Sequence, residues 1–107
     1  MRRIGFVLKV KRDKIAEYKQ HHQKVWPEML AALRRCGWHN YSLFMRPDGT
    51  LFGYFETPMS LQQAVADMAK EEINAQWQKF MTPYFEALEA SQPDEGMQEL
   101  EEVFHLD

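Results

Sequence analysis

The spacing of apolar residues in this chain switches between two periods, and the order of the switches constrains the fold more than any single motif. Residues 3–11 alternate: Ile4, Phe6, Leu8 and Val10 fall on one side, with Lys9 and Lys11 between. A period of two belongs to a half-buried strand. Residues 13–35 then carry Ile15, Tyr18, His22, Val25, Trp26, Met29, Leu30 and Leu33, mostly at steps of three or four, a continuous helical stripe. Pro27 lies inside that stripe and has no backbone donor, so the helix should kink or divide there. Pro27 then opens the second piece, and Gly37 is a stop signal beyond it.

The period returns to two across residues 39–45 and 51–55, both rich in strand formers. Pro47-Asp48-Gly49 between them predicts a hairpin turn: Pro fixes φ, Asp caps the turn and Gly accepts a positive φ. Ser60-Leu61-Gln62-Gln63 has the pattern of a capping box opening a helix, with Leu61, Ala64, Val65 and Met68 facing inward. A further helical run carries Ile73, Trp77, Phe80, Met81 and Tyr84. Residues 91–96 read as a polar loop. Residues 100–106 read as a short closing strand around Val103, Phe104 and Leu106.

Strand, helix, strand, strand, helices, strand is the β-α-β-β-α-β order of a ferredoxin-like α+β domain. A chain of 107 residues without repeat or linker is one such domain, spanning residues 1–107. Helices cover only one face of this kind of sheet, and the chain has no further element for the other. A homodimer packed sheet against sheet is expected.

Composition sets limits on partners and compartment. A hydrophobic share of 45% and a charged share of 27% exclude a disordered or low-complexity chain. No apolar run is long enough to span a membrane, and the N-terminus lacks the pattern of a secretory signal. Cys36 is the only cysteine, which excludes an internal disulfide framework. Together these point to the cytoplasm. The net charge of −3 hides an asymmetry: residues 1–46 hold eleven Lys/Arg and three Asp/Glu, residues 86–107 eight Asp/Glu and no Lys/Arg. The basic residues are dispersed among apolar ones, and no aromatic–basic RNA motif is visible, so nucleic acid is not an expected partner.

The sequence has no Gly-rich phosphate loop and no Ser nucleophile motif. His21, His22, His39 and His105 do not fall at paired ligand spacings, so no metal site is expected. The informative pair is Tyr18 and His22, four residues apart on the inward stripe and therefore one above the other. A histidine on an apolar face is more often a satisfied core residue than a functional one. Two polar-tipped residues side by side there each need a partner or a water-filled pocket. Histidine also suits proton transfer near neutral pH. Tyr41, Tyr54 and Trp77 are candidates to line the same pocket.

Three stretches carry a resemblance. Tyr18-Lys19-Gln20-His21-His22-Gln23-Lys24-Val25-Trp26-Pro27-Glu28, Asn40-Tyr41-Ser42-Leu43-Phe44 and Glu102-Val103-Phe104-His105-Leu106 closely resemble the L-rhamnose mutarotase family. The resemblance implies a dimeric α+β barrel of ferredoxin-like subunits. It implies an isomerase that interconverts the α and β anomers of L-rhamnose, a small-molecule sugar, without a cofactor. His22 matches the family's proton donor, and Tyr18 and Tyr41 match substrate-binding tyrosines. Family members often carry two consecutive tryptophans that contact the sugar. The resemblance puts the second at Trp77 and a glutamine, Gln76, in place of the first. Gln76 can hydrogen-bond a hydroxyl but offers no stacking face. Two other readings compete: a haem-degrading or quinone-forming monooxygenase on the same dimeric fold, and a non-enzymatic small-molecule-binding regulatory module.

Overall fold

The computed structural model describes residues 1–85 and 97–107, so the expected polar loop at 91–96 lies outside the described residues. Its strands are β1 (Arg2–Lys9), β2 (His39–Met45), β3 (Thr50–Thr57) and β4 (Gln98–Leu100). They form an antiparallel sheet in the order β2-β3-β1-β4. Because β3 lies between β1 and β2, the helical connection after β1 passes over one strand, as the ferredoxin-like order requires. Ile4, Phe6 and Leu8 are buried on the helix side, and Val10 adds a single bridge to Phe85.

The long stripe divides at Pro27. Helix α1 is Ile15–His22 and α2 is Pro27–Arg35, with Pro27 in its first turn. The α2 terminus is a Schellman motif: Trp38 N–H donates to the Leu33 carbonyl (2.9 Å) and Gly37 N–H to that of Arg34 (3.2 Å). Gly37 sits at φ +84°, which explains the glycine. In the hairpin turn, the Thr50 amide donates to the Asp48 carboxylate at 2.9 Å. That bond is the main reason the Asp48 pKa is held down at about 2.

Strand β2 contains a bulge. His39 pairs with Glu56 and Ser42 with Tyr54, so Asn40 and Tyr41 together oppose Phe55. Asn40 takes φ 49°, and its amide donates to the Glu56 carboxylate at 3.1 Å. Without the extra residue, Tyr41 would share a face with His39. With it, Tyr41 turns to the helix side beside Phe55.

Helix α3 (Leu61–Ala69) starts at Ser60, whose hydroxyl accepts from the Gln63 amide at 3.1 Å. The expected capping box has only this arm, because the Gln63 side chain donates to Asp67 instead (2.8 Å). Helix α4 (Glu72–Met81) buries Asn74, Trp77, Gln78 and Met81. Its inward face is thus rotated from the expected stripe, and Phe80 is exposed. Among the described residues no helix is long and apolar enough to cross a membrane.

The closing strand departs from expectation. Strand β4 is Gln98–Leu100, and Val103, Phe104 and Leu106 lie beyond it, each about four-fifths exposed. Leu100 pairs with Gly5, so in this register residue 103 would meet Arg2, the first residue of β1, and Phe104 and Leu106 would have no strand beside them. The last cross-link is between side chains: the Arg3 guanidinium donates twice to the Glu102 carboxylate, at 3.0 and 2.8 Å.

Candidate active site

A cavity of about 370 Å³ lies between the helices and the sheet. That falls in the range of small-molecule sites, roughly 300–1,000 Å³. His22 and Val25 line it from α1 and the residues after it, Met29, Leu30 and Leu33 from α2, and Tyr41 and Leu43 from β2. Trp38, Met68 and Met97 also contribute, and Asn74, Trp77 and Gln78 come from α4. An adjoining recess of about 50 Å³ shares His22, Tyr41, Trp77 and Gln78 and adds Tyr18.

The i, i+4 spacing places His22 against Tyr18, with ring centroids 4.1 Å apart and nearly parallel. Trp77 meets the His22 ring edge to face at 5.5 Å. His22 Nδ1 lies 3.0 Å from the Tyr18 carbonyl oxygen, which can only accept. Nδ1 therefore carries the proton, and in the neutral ring Nε2 keeps its lone pair. Burial lowers the His22 pKa, against the opposing pull of the Tyr18 carbonyl. Burial, and then the neighbouring Tyr41, raise the Tyr18 pKa strongly, so its hydroxyl stays neutral and able to donate.

The structure thus brings Tyr18, His22, Tyr41 and Trp77 together. It does not bring Gln76 with them. Gln76 is exposed on α4 and lines neither the cavity nor the recess, because Asn74, Trp77, Gln78 and Met81 set the inward face of the helix and Gln76 falls on the opposite side. Tyr54 is on the other face of the sheet, where its hydroxyl donates to Glu56 at 2.7 Å. Its neighbours across the sheet are residues of that same face, Gly5 and Ser42.

Sequence reasoning missed Asn74 and Gln78. Both are buried, and the Gln78 amide donates to Asn74 Oδ1 at 3.0 Å. A search for apolar periodicity passes over amides. The usable signal was their own spacing of four, flanking Trp77 on one helix face.

The model of one protein family, described as L-rhamnose mutarotase, matches residues 3–106. An L-rhamnose mutarotase of Oceanobacillus iheyensis is 40% identical over 108 residues, covering all of both chains. One of Bacillus subtilis is 37% identical over 108 residues, again covering both completely. A crystal structure of an L-rhamnose mutarotase from Formosa agariphila superposes with a TM-score of 0.79 at 28% identity, covering 100% of each chain.

Proposed function

The chain belongs to the L-rhamnose mutarotase family, and we propose that it interconverts the α and β pyranose anomers of L-rhamnose or a related 6-deoxyhexose. The observation that carries this reading is the tautomer of His22. With Nδ1–H held by the Tyr18 carbonyl, Nε2 is the nitrogen left for a substrate in the cavity.

Mutarotation moves one proton and one bond. Neutral Nε2 takes the proton of the anomeric hydroxyl as the bond from C1 to the ring oxygen breaks, leaving an aldehyde. The imidazolium then gives that proton to the ring oxygen. Rotation about C1–C2 and the reverse steps close the ring on the other face. Both oxygens are bonded to C1, so one imidazole nitrogen can serve both. Every proton is returned and no electron leaves the sugar, so the cycle calls for no redox partner. Acid–base assistance of this kind contributes typically 10²–10⁴-fold. Tyr18 and Tyr41 hold the sugar through their hydroxyls, and Trp77 offers its indole to the C–H surface. The apolar wall of Val25, Met29, Leu33 and Met68 suits a methyl group at C5.

Anomer exchange of several 6-deoxyhexoses, followed by NMR with and without the protein, tests this function. Exchange faster than the spontaneous rate for at least one sugar is expected. Exchange at the spontaneous rate for all of them overturns it.

The same reading includes a homodimer in the cytoplasm. Phe44 pairs with Phe52 and Phe52 with Val7, an apolar row on the sheet face away from the helices. Phe44 and Phe52 are 64% and 37% exposed, as a face awaiting a second copy would be. Sedimentation equilibrium at micromolar concentration should give twice the 12.7 kDa of one chain. A purely monomeric species sinks the dimer, and recovery in a periplasmic or secreted fraction sinks the location.

A further inference from the structure

The cavity wall is apolar except at a few places, and one of them has no role in the proton transfer. Gln78 is 8% exposed and Asn74 2%, and both line the cavity. Gln78 also lines the recess that holds Tyr18 and His22. A primary amide has two N–H donors and a carbonyl oxygen with two lone pairs. Gln78 spends one N–H on Asn74 Oδ1. Its second N–H and its carbonyl oxygen meet no partner among the described residues. Burying such groups unsatisfied is costly, so a nine-tenths buried amide at a cavity wall calls for a ligand that completes it.

We propose that Gln78, oriented by Asn74, is a specificity-determining residue that reads one secondary ring hydroxyl of the sugar. A hydroxyl both donates and accepts, and Gln78 retains one acceptor and one donor, so the two groups are complementary. Trp77 is adjacent in sequence and reads the C–H surface, so neighbouring positions of α4 divide apolar and polar recognition. Asn74 is the positioning residue, since its oxygen fixes the Gln78 amide plane. A site built to hydrogen-bond a hydroxyl discriminates against the analogue lacking it, because the amide is then left unpaired.

The inference rests on the sugar reading of the cavity, and its test is a binding measurement that does not require turnover. L-Rhamnose and its 2-, 3- and 4-monodeoxy analogues are titrated calorimetrically or by saturation-transfer NMR against the wild-type protein. The analogue lacking the hydroxyl that Gln78 reads should bind roughly tenfold or more weakly than L-rhamnose, the usual scale of an unmet buried hydrogen bond. Gln78→Met keeps length and apolar volume. It should weaken L-rhamnose by a similar factor yet bind the discriminated analogue about as wild type does, a non-additive pattern. A purely structural role would weaken all four sugars together. Asn74→Leu should give the Gln78→Met pattern in milder form. Should Gln78→Met fail to fold, Gln78→Leu is read against the same four sugars, because Tyr18 and Tyr41 also face the sugar and only a Gln78 variant singles out its amide. Equal binding of all monodeoxy analogues overturns the assignment, and so does an equal loss for every sugar in folded Gln78→Met. Absent anomer exchange with the hydroxyl preference intact would instead overturn the mutarotase reading.

Discussion

On the helix side of the sheet, Phe6, Leu51 and Phe55 are sealed beneath other parts of the same chain. One residue along each strand, Val7, Phe52 and Tyr54 point the other way, and Phe52 and Phe44 remain exposed. The two faces use similar residue types from the same strands and differ in what covers them. On the inner face the helices leave a gap, and the polar groups of the site gather there: Tyr18, His22, Tyr41, Asn74 and Gln78. On the outer face the polar groups pair with one another instead, Arg3 with Glu102 and Tyr54 with Glu56. Alternation along a strand shows which residues share a face. It does not show which face the chain covers by itself.

The largest expected effect probes the inner face. His22→Gln should lower the rate of anomer exchange by roughly 10²-fold or more while the protein stays folded. Its neighbour provides the contrast. His21 Nε2 lies 3.0 Å from the Tyr84 hydroxyl, and the ring packs on Phe80 at 4.7 Å. His21 therefore ties α1 to the turn after α4. His21→Ala should cost about 1 kcal/mol of stability, the scale of one hydrogen bond, with exchange preserved. Paired rate and melting measurements check both. Normal exchange in folded His22→Gln would remove the proton-transfer role.

A pair of glycines separates the two faces next. A Cβ on Gly53 would lie 2.1 Å from Cζ of Phe6, a ring that is fully buried and has nowhere to move. On Gly5, the nearest contacts would be at an ordinary 3.9 Å. Gly53→Ala should therefore destabilise by about 1–3 kcal/mol through overpacking. Gly5→Ala should be neutral or slightly stabilising. Denaturant midpoints decide it, and equal midpoints would contradict the account of the inner face. Smaller again, Trp77→Phe should weaken sugar binding by about 1 kcal/mol, the scale of one aromatic contact. Unchanged affinity in calorimetry would return Trp77 to a packing role.

The legibility of the chain followed the same division. Periodicity located β1, the broken helix, the hairpin and α3 because each buries its own apolar residues. It placed the closing strand too late, since Val103, Phe104 and Leu106 look like a strand yet lie beyond β4, which ends at Leu100. Tyr18 and His22 were legible as a pair because a helix forces residues four apart together. Tyr54 was misread because the bulge at Asn40 sets β2's inward residues, and only pairing shows that Tyr41 and Tyr54 point opposite ways. Gln78 was hidden because nothing in a polar residue's identity says that it is buried.

The smallest effect separates the faces by pH. Burial lowers the His22 pKa from the ordinary 6.5. Above that value His22 is neutral in both the folded and the unfolded chain and contributes no pH dependence. As the pH falls below 6.5, the unfolded chain takes up the proton first, so it binds more protons than the folded one and stability declines. The decline ends once the folded pKa is passed. On the outer face, the Arg3 hydrogen bonds lower the Glu102 pKa below the ordinary 4.5. That contribution is intact at neutral pH and fades only as the pH falls below the carboxylate range. Melting temperatures from pH 8 to pH 3 should therefore show two separate losses. His22→Gln should flatten the one just below 6.5, and Glu102→Gln should reduce the acidic one, to which Asp48 and Glu56 also contribute. If His22→Gln leaves the slope below 6.5 as steep as in wild type, His22 does not experience the desolvation inferred for it, and the inner face is wetter than its packing implies.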